Sequence, residues 1–179
     1  MLELRAATLA VALCLALPTT FATAGSLEAH RAKSAGAPLA YLLFCLQHDK
    51  ECQTGKSGRV QNSQKLRQTL ERVNRSVNRS IRFKSDSTET WNSSGSRGDC
   101  EDYALTKRKL LLRAGVPAGA LRLATVRTRR GEGHAVLVVM TSSGELVLDN
   151  ARANIVERSQ TDYRWISIAS KDPRRWTNL

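Results

Sequence analysis

The stretch Gly98-Asp99-Cys100-Glu101-Asp102-Tyr103-Ala104 decides the fold and the chemistry expected of this chain. It predicts a loop that turns into a helix at Cys100, and the helix is expected to run to Gly115, a typical C-terminal stop. Asp99 suits the N-cap, and the acidic residues after it suit the first turn, where the helix dipole favours negative charge. A helix N-terminus stabilises a thiolate, so Cys100 is a candidate nucleophile.

Two further residues give this thiol a chemical context. His134 starts one predicted strand, after glycines, and Asp149 ends the next. Nucleophilic cysteine chemistry needs a thiol, an imidazole that takes its proton and a carboxylate that orients the imidazole. The backbone N–H of Cys100 is one expected oxyanion donor, and Trp91 is the candidate for the second. The alternatives are that Cys100 is structural or simply buried and that Asp149 is a turn residue.

The N-terminus has the pattern of a secretory signal. Arg5 precedes an apolar run that Pro18 ends, and Ala22-Thr23-Ala24 is a small-residue cleavage site. These features predict a signal peptide over residues 1–24 and a single mature domain over residues 25–179, located in the periplasm or secreted. The apolar run of about 12 residues is too short to cross a bilayer, which takes roughly 20. We therefore expect no membrane span after cleavage.

The charge of the chain is strongly basic. It has 28 Lys and Arg against 16 Asp and Glu, a net charge of +12, and the leader removes one residue of each sign. Such a balance favours acidic partners. No nucleic-acid-binding motif is present and aromatic residues are only 5% of the chain. We expect a solvated basic surface and no nucleic-acid partner.

Cleavage of the leader leaves three cysteines, Cys45, Cys52 and Cys100. In an oxidising compartment an odd number leaves one thiol unpaired. Cys45 and Cys52 are close in sequence and could close a small loop, which would leave Cys100 free. The alternative is that Cys100 is itself half of a disulfide.

Helical patterns come first in the chain and strand patterns follow. Helices are predicted over residues 38–48, 61–81 and 100–114, and strands over residues 121–127, 135–140, 145–148 and 163–168. A loop is expected over residues 83–97 and a basic tail over residues 171–179. This order indicates the α+β class with an antiparallel sheet.

With these residues in view, the chain resembles the bacterial transglutaminase-like cysteine proteinases. The resemblance covers about residues 38–176 and rests on short blocks around Phe44-Cys45, Val77-Asn78, Gly98–Ala104, Leu121–Leu123, Gly133–Leu137 and Val147–Asn150. It implies a papain- or transglutaminase-like fold, with a helical N-terminal part packed on an antiparallel sheet. It also implies a catalytic triad of Cys100, His134 and Asp149.

The resemblance further implies a periplasmic cysteine endopeptidase that cleaves a secreted or cell-surface protein such as an adhesin. An inner-membrane receptor that sequesters the enzyme is implied as a second partner. The residues themselves leave two alternatives open. One is transglutaminase-type acyl transfer with the same triad, and the other is a catalytically silent interaction module.

Three carboxylates, those of Asp99, Glu101 and Asp102, flank the nucleophile. Their spacing alone favours roles in capping the helix and serving its dipole. The resemblance implies a dependence on calcium, which makes the three residues the predicted calcium ligands. A bound cation would neutralise charge that otherwise raises the pKa of the neighbouring thiol.

Overall fold

A computed structural model describes residues 34–179, except residues 86, 87, 89 and 94. The predicted signal peptide, residues 1–24, lies outside the described part, as do residues 25–33. The extent of the mature domain therefore stays a prediction. No helix in the described part is long and apolar enough to cross a membrane.

The first two helices are α1, Leu39–Gln47, and α2, Gln64–Ser80. Ser63 caps α2, because its side-chain oxygen accepts a hydrogen bond of 3.1 Å from the backbone N–H of Leu66. Apolar residues at helical spacing give α2 one buried face, which carries Leu66, Leu70, Val73 and Val77.

The third helix, α3, spans Cys100–Arg113 and follows the predicted boundaries closely. It ends because Gly115 adopts a left-handed conformation, with φ of 83°, and donates its N–H to the carbonyl oxygen of Leu112. Lys107 and Arg108, in the middle of α3, are both buried. The helix packs on α2 and on the strand over residues 133–141, and the backbone N–H of Ala135 in that strand bonds to Cys100 at the start of the helix.

The sheet has seven antiparallel strands in the order β1-β9-β8-β4-β5-β6-β7. Two short strands, β2 and β3, pair in parallel beside it. The strands are β1 Ser34–Ala35, β2 Arg82–Phe83, β3 Arg97–Gly98, β4 Leu121–Arg127, β5 Gly133–Thr141, β6 Gly144–Leu148, β7 Val156–Glu157, β8 Arg164–Ala169 and β9 Trp176–Asn178. Helices packed on an antiparallel sheet confirm the predicted α+β class.

Both faces of the central strands are buried. One face joins the main core with the helices and contributes Leu121, Leu123, Leu137, Val139, Leu146 and Leu148. The other face forms a second cluster that includes Ala124, Val126, Val136, Val138, Val147 and Ile168. Burial on both faces explains why β5 is a continuous apolar run and makes it a rigid support for the residues at its start.

The expected basic tail and loop contain strands. Within residues 171–179, β9 pairs with β8 and β1, and Trp176 is buried with its indole N–H bonded to the carbonyl oxygen of Pro173. The predicted loop over residues 83–97 begins and ends in the short parallel pair of β2 and β3. Both corrections have the same reason, since these strands depend on distant partners rather than on their own apolar pattern.

Cys45 and Cys52 form a disulfide that ties α1 to the short turn after it. Cys100 is a free thiol with intermediate exposure. The structure therefore leaves the cysteine at the start of α3 available for chemistry.

The turn before α3 is shaped by the close approach of Gly98 and Asp102. A Cβ atom at Gly98 would collide with the carboxylate of Asp102. That carboxylate is buried and accepts a hydrogen bond of 2.7 Å from the backbone N–H of Asn92. The glycine thus lets a buried side chain of α3 hold the strand and the loop that precede Cys100.

Candidate active site

A cleft of about 400 Å³ opens where the N-terminus of α3 meets the start of β5. Cys100 and Glu101 line it from α3, and His134 and Ala135 line it from β5. The remaining lining residues come from the loop before α3, from β4, from β5 and from β8, and they are Trp91, Thr125, Val126, Arg127, Gly133 and Ile166. The structure thus brings the predicted nucleophile and the predicted base to one cleft.

His134 and Asp149 meet because β5 and β6 are neighbouring antiparallel strands. Nε2 of His134 lies 2.9 Å from Oδ1 of Asp149. The carboxylate is buried and also accepts hydrogen bonds from the N–H of Ala151, at 2.9 Å, and from the hydroxyl of Tyr163, at 2.5 Å. Burial raises the pKa of Asp149, but these hydrogen bonds outweigh it and the net pKa is lowered. Asp149 is therefore an ionised group that holds the imidazole through Nε2, so Nδ1 is the ring nitrogen not bonded to it.

The sulfur of Cys100 lies in the same cleft as the histidine and contacts the residue that follows it. The backbone N–H of Ala135 donates a hydrogen bond to the sulfur, and Oε2 of Glu101 lies 2.8 Å from it. Burial raises the pKa of the thiol well above its usual range, and the charge of Glu101 raises it further. Burial and this carboxylate therefore both oppose the thiolate that a helix N-terminus favours.

The three predicted calcium ligands do not converge. Among the described residues, no three side chains of His, Cys, Asp or Glu are grouped so that they could hold a metal ion. Glu101 and Asp102 are consecutive on a helix, and such side chains point in different directions. Asp102 turns inward below Gly98, whereas Glu101 turns to the thiol and to Asp99.

Asp99 and Glu101 remain close to each other. Asp99 occupies the N-cap position, but its side chain makes no capping hydrogen bond. Its Oδ1 is buried and lacks a hydrogen-bond partner within the described residues. Burial raises the pKa of Glu101 to about 7, and the hydrogen bond with Asp99 contributes to the rise. This pair therefore needs a proton or a cation between its members.

Trp91 has an unused donor at the cleft. The ring is largely buried and packs against Tyr41, with the ring centroids 5.2 Å apart. Its Nε1 is buried and has no hydrogen-bond partner in the described structure. A buried polar hydrogen is unfavourable to leave unpaired, so a residue that lines the cleft carries one unsatisfied donor.

Tyr163 is a site residue that sequence reasoning missed. Its hydroxyl bonds to Asp149 and its ring lies edge-on against the imidazole of His134, with centroids 5.6 Å apart. The guanidinium carbon of Arg152 also lies over this ring, 5.5 Å from its centroid. The local pattern marks Tyr163 only as a strand start, and no short-range signal connects it with Asp149.

Lys107 is a second residue that the sequence analysis did not single out. A helical lysine is usually exposed, but Lys107 is fully buried and its Nζ has no hydrogen-bond partner among the described residues. Burial lowers its pKa to about 7, against the opposing attraction of Asp149. The spacing of Tyr103, Lys107 and Leu111 on one helical face could have shown this.

The family model for bacterial transglutaminase-like cysteine proteinases, BTLCP, matches residues 31–179. The chain belongs to this family. As a BTLCP-type cysteine protease it also shares its fold with LapG of Legionella pneumophila, at 22% sequence identity and a TM-score of 0.57, over 77% of each chain. Two further LapG structures are similar, one calcium-bound and one EGTA-treated.

The calcium-bound LapG has a TM-score of 0.54 and 22% identity, over 72% of this chain and 73% of that chain. The EGTA-treated LapG has the same TM-score and identity, over 72% of this chain and 71% of that chain. No curated protein matches the sequence significantly. The comparisons establish the BTLCP family and the fold.

Proposed function

We propose that the protein is a secreted, periplasmic cysteine endopeptidase that cleaves a secreted or cell-surface protein such as an adhesin, with Cys100, His134 and Asp149 as its catalytic triad. One observation carries the proposal. The thiol and the imidazole line one cleft, and the imidazole is bonded through Nε2 to a buried, ionised carboxylate. This is the arrangement that nucleophilic cysteine catalysis requires.

The proposed reaction has two stages. The free Nδ1 of His134 takes the proton of the Cys100 thiol as the sulfur attacks the scissile carbonyl carbon. The tetrahedral intermediate collapses, the C–N bond breaks, and the imidazolium returns the proton to the leaving amine. Water, deprotonated by the same nitrogen, then attacks the thioester and releases the acid and the thiol. Burial and Glu101 raise the pKa of the thiol, so in this proposal the transfer of its proton to His134 accompanies each attack.

The oxyanion would be held by the backbone N–H of Cys100 and by Nε1 of Trp91. The buried and unpaired indole N–H in the cleft supports the second assignment. Trp91→Phe keeps the ring packing on Tyr41 and removes the donor. We expect turnover to fall roughly 10²- to 10³-fold, while iodoacetamide alkylates Cys100 at an unchanged rate. A variant with unchanged turnover would exclude Trp91 from the oxyanion hole.

We also propose that calcium supports activity, with Asp99 and Glu101 as two of its ligands. The unpaired Oδ1 of Asp99 and the adjacent carboxyl of Glu101 fit a hard cation. Asp102 does not, because its buried carboxylate accepts a hydrogen bond from the backbone N–H of Asn92. A LapG structure with bound calcium adds support. When bound, the ion would supply positive charge beside the thiol.

Melting temperature tests the ion independently of activity. Calcium added after EGTA treatment should raise the melting temperature of the wild type and leave that of Asp99→Ala unchanged. If chelation changes neither melting temperature nor activity in the wild type, the two carboxyls share a proton instead.

The location and the regulatory partner remain part of the proposal. The N-terminal pattern over residues 1–24 supports export, and the family resemblance supports an inner-membrane receptor that sequesters the enzyme. Fractionation of cells should place the mature chain in the periplasm with residues 1–24 removed. A chain that keeps those residues and stays in the cytoplasm would contradict export.

The main experiment compares surface and secreted proteomes of cells that carry the wild type, Cys100→Ala or His134→Ala. We expect a discrete released fragment with a new N-terminus in the wild type alone. Incorporation of a labelled primary amine into glutamine side chains would instead indicate acyl transfer. Identical proteomes, with no selective alkylation of Cys100, would indicate a silent interaction module.

A further inference from the structure

One side of the cleft mouth carries a group of exposed arginines, here called the arginine rim. Arg127 ends β4 and lines the same cleft as Cys100. Arg129 and Arg130 lie in the turn between β4 and β5 and line a second, adjoining concavity. Arg164 starts β8, the strand on the other side of β4. The rim therefore runs continuously from the catalytic cleft over the end of the sheet.

The rim is not neutralised by the protein. Within the described residues, none of its four members forms an ion pair with a carboxylate, and Arg127 donates only to the backbone oxygen of Gly131. The acidic groups on this side are few. Asp162 forms an ion pair with Arg152, Glu132 contributes a single charge, and Glu101 lines the catalytic cleft together with Arg127.

The pairing of β4 with β8 places two positive charges of the arginine rim opposite each other, which is unfavourable for folding. Arg127 is paired directly opposite Arg164 across β4 and β8. Like charges in directly opposed positions of neighbouring strands destabilise the pairing. Two unpaired guanidinium groups side by side, at the mouth of a catalytic cleft, are suited to bind carboxylates, because each offers a planar fork of donors.

We propose that the arginine rim binds an acidic stretch of the polypeptide substrate beside the scissile bond. This inference rests on the proposed peptidase function and names the chemistry of its substrate. The net charge of +12 attracts acidic chains to the whole surface, and the rim then selects those that place carboxylates next to the cleft. Continuity with the catalytic cleft favours a substrate chain over an anionic membrane as the occupant.

The binding test uses the inactive Cys100→Ala chain and two fluorescein-labelled peptides, one rich in Glu and a counterpart with Gln at the same positions. We expect the Glu peptide to bind at least tenfold more tightly at low salt. Arg129→Gln/Arg130→Gln should weaken it about tenfold, within the range of two exposed ion pairs. Added salt should reduce the preference, because it screens exposed charges.

The matched control is Lys65→Gln/Arg72→Gln, which removes two exposed positive charges from α2 and none from either concavity. It should leave binding within twofold of the parent. If the control weakens the Glu peptide as much as the rim variant does, general charge explains the binding and the inference fails. Equal affinity for the Glu and Gln peptides would also overturn it.

Cleavage of a mixed peptide library by the active enzyme then separates the two proposals. We expect acidic residues to be enriched near the cleaved bonds, and the enrichment to disappear in the rim variant while the control keeps it. If no peptide is cleaved but the rim still selects the Glu peptide, the peptidase proposal fails and the acidic-peptide site stands. If the rim variant instead loses binding to anionic phosphatidylglycerol vesicles and keeps its cleavage preference, the rim is a membrane contact.

Discussion

Lys107→Met is expected to make the protein more stable at and below neutral pH. The Lys107 side chain is fully buried, and burial lowers its pKa to about 7, from an ordinary value of about 10.4. A shift of about three units corresponds to a destabilisation of about 4 kcal/mol for the charged form, at 1.36 kcal/mol per unit. Methionine has a similar length and flexibility and needs no hydrogen bond.

Part of the gain is offset by a lost contact. Nζ of Lys107 lies 5.9 Å from the centroid of the Tyr103 ring, a cation–π interaction worth roughly 1–2 kcal/mol when shielded from water. The attraction of Asp149 is already included in the shifted pKa. The net gain is therefore about 2–3 kcal/mol, or a rise in melting temperature of roughly 4–12 °C for a chain of this size.

The pH dependence fixes the sign of the effect. Between about pH 7 and pH 10 the unfolded chain holds a proton on Lys107 that the folded chain has released, so the stability of the wild type rises with pH. Below pH 7 both states are protonated and the full penalty remains. The advantage of Lys107→Met should be largest at pH 6 and should shrink by about 1.4 kcal/mol per pH unit above pH 7.

Urea unfolding at pH 6, 7.5 and 9 measures this directly, with Lys109→Met as the control. Lys109 lies two residues further along α3, is partly exposed and pairs with Glu51 at 3.3 Å. Its replacement should lower stability by up to about 1 kcal/mol. A Lys107→Met protein that is less stable than the wild type at pH 6, or whose gain is the same at all three pH values, would refute the reasoning.

Three further outcomes are expected. Tyr163→Phe keeps the ring against the imidazole but removes one charge-assisted hydrogen bond to Asp149, worth about 1.5–3 kcal/mol. We therefore expect kcat/KM to fall roughly 10- to 100-fold, and an unchanged value would show that the hydroxyl is dispensable. Gly98→Ala forces a methyl group into the Asp102 carboxylate and should lower stability by about 1–3 kcal/mol in thermal unfolding; a neutral result would mean that the turn can relax. Reduction of the Cys45–Cys52 disulfide opens a short loop and should lower the free energy of unfolding by about 2.5 kcal/mol. A peptide map that places Cys100 in a disulfide would contradict the pairing of Cys45 with Cys52.

The elements that were predicted closely have local signals. Helix α3 begins after Asp99 and ends just before a left-handed Gly115, and in both places the signal comes from residues next to the helix end. The hairpin of β5 and β6 follows from two apolar runs around a glycine-containing turn. Local patterns were therefore sufficient to place all three proposed catalytic residues at the ends of elements.

The features that were missed depend on distant partners. Strand β9 has only three residues, within the tail that was expected to be basic, and it is a strand only because β8 and β1 lie on either side of it. The contact of Tyr163 with Asp149 joins residues on opposite sides of the central strands. Helical spacing already separates Glu101 from Asp102, but the burial of Asp102 depends on its contacts with Gly98 and Asn92, which the local pattern does not show.

The division of the site between one hairpin and one helix has a consequence for partly folded molecules. His134 and Asp149 lie on neighbouring strands and are only 15 residues apart, so their contact can form as soon as the hairpin does. Cys100 joins them only when α3 docks on β5, a long-range event. A copy in which α3 has detached holds an imidazole–carboxylate pair without a nucleophile, and its thiol has no base. Under the proposed mechanism such copies would be unable to attack neighbouring chains, so the docking of α3 would limit self-digestion during folding.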